Sequence, residues 1–116
     1  MAQGYNKVVL VGYLGRAPEM RYTPRGKPVT SFSIVSTQTC LTAEGTRHEE
    51  VNWFNVVAWG ALAETCKNSL QKGQHVLIEG RLKNRHWVDD NQIERSCAEV
   101  VAAHLVPLNA EQPNLE

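Results

Sequence analysis

From His75 to Val88 the chain alternates with a period of two. Val76, Ile78, Leu82 and Val88 take even positions, and Arg81, Lys83, Arg85 and Trp87 take odd ones. Residues of one parity on a strand share a face. The pattern therefore describes a strand with one apolar face for a core and one basic face ending in an indole. The segment from Val51 to Gly60 repeats it: Phe54, Val56 and Ala58 alternate with Trp53, Asn55, Val57 and Trp59. All three tryptophans of the chain fall on the outward parity.

Strand patterning extends over most of the remaining residues. Residues 5–14 are rich in β-formers, with Gly12 and Gly15 interrupting the pattern as a bulge or bend would. Arg16–Glu19, which contains Ala17-Pro18, reads as a turn, and Arg21–Thr23 as a short extra strand before Pro24-Arg25-Gly26 turns again. Residues 28–39 alternate Phe32 and Ile34 with Ser31 and Ser33, and Ala43-Glu44-Gly45 marks the tip of a long polar loop or hairpin leading into a strand at 50–60. Between Gly60 and Leu70 the spacing changes, so that Leu62, Ala63, Cys66 and Leu70 share one face of a helix, with Lys72 and Gly73 resembling its C-terminal stop. A strand at 74–88, a turn at Asp89–Gln92 and a strand at 93–105 follow. The expected fold is all-β: a five-stranded barrel of the OB type with one helix between strands 3 and 4.

Length and composition fit this reading. At 116 residues the chain is one domain, taken here as residues 1–106, followed by a short mobile tail at 107–116. No apolar run approaches the ~20 residues of a membrane-spanning helix. The N-terminus lacks the features of a signal peptide, so a cytoplasmic location is expected. Cys40, Cys66 and Cys97 are odd in number and widely spaced, which argues against a disulfide framework and against zinc. His48, His75, His86 and His104 show no ligand spacing, and no nucleophile elbow, phosphate loop or metalloprotease motif is present. Neither a metal, a cofactor nor catalysis is expected, and a thiol- or metal-dependent enzyme built on the scattered cysteines is the least favoured reading.

The formal net charge of zero conceals an uneven distribution. Residues 1–40 hold Lys7, Arg16, Arg21, Arg25 and Lys27 against Glu19 alone, and residues 81–87 hold three cations and no acid. Cations neutralise phosphates and indoles stack on unpaired bases, so the shared face suits single-stranded nucleic acid. A tryptophan taken singly is as often a core residue; what favours stacking is the common parity with Arg81, Lys83 and Arg85. Tyr13 and Tyr22 are open between stacking and barrel-end or subunit contacts, and Arg16, Arg25 and Lys27 between backbone contacts and simple exposure.

Four blocks, in this order and at these distances, resemble the bacterial single-stranded DNA-binding protein family over roughly residues 4–106. They are GYNKVVLVGYLG, then Pro18-Glu19-Met20-Arg21-Tyr22, then VNWFNVVAWGALAE, and finally QKGQHVLIEGRLKNRHW. The resemblance implies a non-enzymatic OB-fold subunit that coats single-stranded DNA in replication, recombination and repair, in the nucleoid, and that assembles as a homotetramer, with a dimer as the alternative. Residues 5–14, apolar on both parities, suit a strand buried on both sides or paired across subunits.

By position, the resemblance makes Trp53, Trp59 and Trp87 the stacking residues. It assigns phosphate contacts to Lys7 and Arg21, alongside Arg81, Lys83 and Arg85. Three positions depart from the family pattern: Trp59 stands where Phe is common, Cys40 where another Trp is common, and Asn55 where a basic residue is common. Nothing after Pro107 resembles the family's acidic tip, so tail-mediated recruitment of replication and repair proteins is not expected. The terminal Leu115-Glu116 reads as a cloning remnant after a binding core. A second expectation is a related OB-fold module serving as a primosome-type adaptor, with DNA binding secondary.

Overall fold

The structure, a computed structural model, describes residues 3–108. Five strands and one helix follow in the order β1 (Val8–Tyr22), β2 (Pro28–Leu41), β3 (Arg47–Trp59), α1 (Ala61–Ser69), β4 (His75–Val88) and β5 (Glu94–Pro107). The strands close into a barrel in the order β1-β2-β3-β5-β4, with the helix between β3 and β4, as expected. The mobile tail expected at 107–116 lies outside the described residues from 109 onward; Pro107 itself ends β5.

β1 serves two neighbours and so turns the barrel's corner. Val8–Tyr13 pair with β4, and Tyr13–Tyr22 with β2. Gly12 sits at the handover: a Cβ there would lie 2.2 Å from the carbonyl oxygen of Val35, so only glycine lets the two backbones approach this closely. The turn expected at Arg16–Glu19 is instead part of the strand. Register shifts between Leu14 and Arg16, and again between Arg16 and Glu19, absorb Gly15 and Ala17-Pro18 as bulges. Pro18 has no N–H to offer a ladder, and a bulge tolerates that without ending the strand.

The core is built from the inward parity. Leu14, Phe32, Ile34, Val56, Ala58, Val76, Ile78 and Val100 fill the barrel, and Cys66 and Leu70 of the helical segment close one end. Thr30, buried, donates its hydroxyl to the carbonyl oxygen of Ala63 at 2.7 Å and pins the helix to β2. Burial pushes the Cys66 thiol up to about 11, because a thiolate would lose its solvent there. The helix ends at Ser69, earlier than Lys72 and Gly73 suggested. Leu70 is already extended, and Gly73 (φ 86°) belongs to the next turn, where its N–H donates to the carbonyl of Leu14.

Inward parity fails as a burial signal beyond Gly80. Leu82 and Val88, expected in the core, are 44% and 62% exposed. The ladder to β5 shifts register between Glu79 and Gly80, and from Arg81 to Val88 every residue is exposed. β4 and β5 there form a two-stranded arm outside the barrel. β3 pairs with β5 only at Val56↔Val100 and Val57↔Val101, so no ladder to β3 continues along the arm beyond its root. Its tip is tied by Asp89, whose carboxylate accepts from Arg95 Nε at 2.8 Å and from the N–H groups of Asn91 and Ile93. The Arg95 bond, then these backbone bonds, hold the Asp89 carboxyl below its usual range.

Candidate nucleic-acid interface

The two bulges in β1 set the composition of the outward face. Directly opposed residues share a face, so the register aligns Arg16 with Ser33 and Asn55, Glu19 with Ser31 and Val57, and Arg21 with Val29 and Trp59. Without the bulges, Arg16 and Arg21 would have opposite parity and point to opposite sides. Gly15 lies beneath the indole of Trp53, where a Cβ would stand 2.5 Å from Cζ3. The Ser33 hydroxyl, buried near it, has no hydrogen-bond partner among the described residues.

This face and the β4–β5 arm enclose two adjoining depressions of about 300 and 400 Å³ that share Arg21, Val57, Arg85 and Glu99. Arg16 lines the first and Lys83 and Trp59 the second. Four cations thus face two carboxylates, Glu19 and Glu99, which leaves the cleft positive although the chain is neutral.

The three tryptophans are exposed by 63% at Trp53, 39% at Trp59 and 41% at Trp87. All three therefore stand at the surface rather than in the core. Lys27 Nζ lies 5.7 Å from the ring centroid of Trp59, and the Arg85 guanidinium 5.4 Å from that of Trp87. Both cations therefore stand beside an aromatic face, which suits a ligand carrying bases and phosphates together. Trp53 and Trp59 are six residues apart on β3, ~20 Å along the strand.

Of the expected phosphate residues, Arg21, Lys83 and Arg85 come together in this cleft. Lys7 and Arg81 do not. They line a separate depression of about 470 Å³ between β4, β5 and the segment that leads into β1, and it shares no residue with the cleft. Lys7 is ion-paired with Glu79; the hydrogen bond and charge raise the lysine pKa and lower the carboxyl. Its charge is therefore already partly answered within the chain.

Arg16 and Lys27, open in the sequence between backbone contacts and simple exposure, lie in the cleft and over the Trp59 ring respectively. Arg16 was obscured by the turn reading of Ala17-Pro18, and Lys27 reaches Trp59 only through the register Val29↔Trp59, which no single segment reveals. Cys40 lies on the exposed β2–β3 hairpin opposite His48, and Cys97 is half-buried in the cleft opposite Arg85. Among the described residues no group of three or more His, Cys, Asp or Glu stands close enough to hold a metal ion.

The chain is similar to known proteins in both sequence and fold. The chain is 40% identical over 113 residues to single-stranded DNA-binding protein 1 of Chlorobaculum tepidum, covering 96% of the chain and 69% of that relative. It is 38% identical to the single-stranded DNA-binding protein of Neisseria meningitidis serogroup A, covering 94% of the chain and 63% of the relative. A deletion mutant of the single-stranded DNA binding protein from Thermus aquaticus superimposes with a TM-score of 0.84 at 33% identity, over 96% of this chain and 54% of that one. The Plasmodium falciparum SSB, solved in complex with ssDNA, shares the fold with a TM-score of 0.88 at 21% identity, over 94% and 99% of the two chains. A family-wide sequence model matches residues 5–108, and with these relatives it establishes that the chain belongs to the Single-strand binding protein family.

Proposed function

We propose that this chain binds and coats single-stranded DNA with little sequence preference, as a non-enzymatic protein of replication, recombination and repair. The observation that carries the reading is the exposure of Trp53, Trp59 and Trp87 together with a cleft in which four cations outnumber two carboxylates, two of the indoles with a cation over the ring. Bases stack on the three indoles while Arg21, Lys83 and Arg85 neutralise phosphates, joined by Arg16 and Lys27; Lys7 and Arg81 extend the path along the separate depression. Every base offers a π-face, so the contacts are tolerant of sequence. A duplex hides those faces in its stack and gains only the phosphate contacts.

The outward residues of the first half of β1, Val9, Val11 and Tyr13, are exposed in the single chain. A homotetramer, as the family resemblance implies, would cover such a row, and light scattering that returned a monomer mass would refute it. Among the described residues no helix is long and apolar enough to cross a membrane, and a cytoplasmic, nucleoid-associated location forms part of the reading.

Tryptophan fluorescence titrated with oligo(dT), with duplex of equal length as control, tests the function at low and high salt. Strong quenching by the single strand, weakened by salt, is expected. Quenching by neither ligand would mean that the indoles are not platforms, and the adaptor reading would replace this one.

A further inference from the structure

β1 begins its ladder to β4 at Val8↔Gly80. Continuing that register places residue 6 opposite residue 82, at the root of the β4–β5 arm. There the side chain of Asn6, rather than its backbone, completes the ladder. Its Nδ2 donates to the carbonyl oxygen of Leu82 at 2.6 Å, and its Oδ1 accepts from the Leu82 N–H at 3.0 Å. One amide thus satisfies both backbone groups of a residue 76 positions away in the chain.

We infer that Asn6 is a positioning residue for single-stranded DNA binding, clamping the root of the arm that carries Lys83, Arg85 and Trp87. The inference rests on the proposed function. Its physical basis is that a two-stranded ribbon is marginal by itself and takes its direction from its root. This arm is exposed along its β4 strand, and β3 meets β5 at only two rungs. Beyond Gly80, β1 no longer pairs with β4, so without Asn6 the outer edge of β4 would be free at the point where the arm leaves the barrel. Asn suits the task because an amide carries a donor and an acceptor side by side, as a backbone peptide does. Lys83, Arg85 and Trp87 follow Leu82 within five residues, so a loosened root moves all three relative to Arg21 and Trp59.

The test is amide hydrogen exchange of Leu82 in the free protein, combined with oligo(dT) affinity, in Asn6→Ala, Asn6→Asp and the double variant with Trp87→Ala. In Asn6→Ala, Leu82 exchange should accelerate ~10-fold or more while core amides such as Ile78 keep their protection. Affinity should fall about two- to tenfold, the range that one net hydrogen bond covers. Asn6→Asp keeps an acceptor for the Leu82 N–H but sets a second carboxylate oxygen against the Leu82 carbonyl, so Leu82 exchange should accelerate here too, and protection equal to that of the unmodified chain would overturn the donor half of the clamp. In the Trp87→Ala background the Asn6 penalty should shrink, because part of what the clamp positions is gone. Unchanged Leu82 exchange in Asn6→Ala overturns the clamp, and an undiminished penalty in the Trp87→Ala background overturns the route through the arm. If the unmodified chain gives no binding, the proposed function fails and takes the DNA half of this inference with it, whereas Leu82 exchange still decides the clamp.

Discussion

Gly15→Ala would set a methyl carbon 2.5 Å from Trp53 Cζ3, 2.8 Å from Val35 Cγ2 and 3.1 Å from Ser33 Oγ. Non-bonded carbons settle at about 3.5–4.0 Å, so the indole must retreat by ~1 Å or swing aside. The obstructing atoms all belong to side chains, and Trp53 is largely open to solvent, so the ring has somewhere to go. The stability cost should therefore be about 1 kcal/mol, the low end for overpacking. Binding should suffer more. A displaced platform forfeits up to one base–aromatic stack, ~1–3 kcal/mol or ~5- to 150-fold in affinity, a range established on proteins of this class. Fluorescence titration with oligo(dT) reads the affinity and a urea melt reads the stability. In a Trp53→Ala background the alanine at position 15 should cause no further loss of affinity. An unchanged affinity, or a loss that persists without Trp53, would refute the idea that the bulge exists to seat this indole.

Three other outcomes follow from the same geometry. Arg85→Ala should flatten the slope of log affinity against log salt by about 0.7, the single-strand value for one phosphate, and Lys7→Ala by less, because Glu79 already holds that ammonium; equal slopes would contradict this assignment. Gly80→Ala would put a Cβ 2.0 Å from the Val101 carbonyl oxygen, a backbone atom with no room to yield, and should cost about 3 kcal/mol or more in a urea melt, unlike Gly15→Ala. The Cys66 thiol, raised in the fold from 9.0 to about 11, should lend stability in full below pH 9 and lose it as pH rises toward 11. That alkaline loss should reach about 2–3 kcal/mol and be absent in Cys66→Ala, and identical pH profiles would count against burial as its cause.

What could be read before folding was whatever obeys a local rule. Period-two alternation located the second, third and fourth strands and the correct face of Phe32, Ile34, Val56, Val76 and Ile78, because inward parity is a property of the pleat itself, whereas β-former content marked only the first half of β1. The shift to helical spacing at Leu62, Ala63 and Cys66 located the helix, and the outward parity of Trp53, Trp59 and Trp87 matches their exposure on the barrel surface. Local rules fail where one segment depends on another. The bulges at Gly15 and Ala17-Pro18 looked like a turn because nothing within β1 reveals that Ser31 and Ser33 of β2 stand ready to continue the pairing. Leu82 and Val88 looked buried because their parity is inward, yet burial also needs an opposing layer, and β4 leaves the barrel at Gly80. The charged cleft is likewise a product of register: Arg16, Arg21, Lys83 and Arg85 come from distant segments, and Lys7 and Arg81, equally basic, fall elsewhere. Side-chain alternation is set by each residue's own backbone, so sequence determined the elements and their faces. Which faces meet depends on strand pairing over dozens of residues, and that only the closed barrel decided.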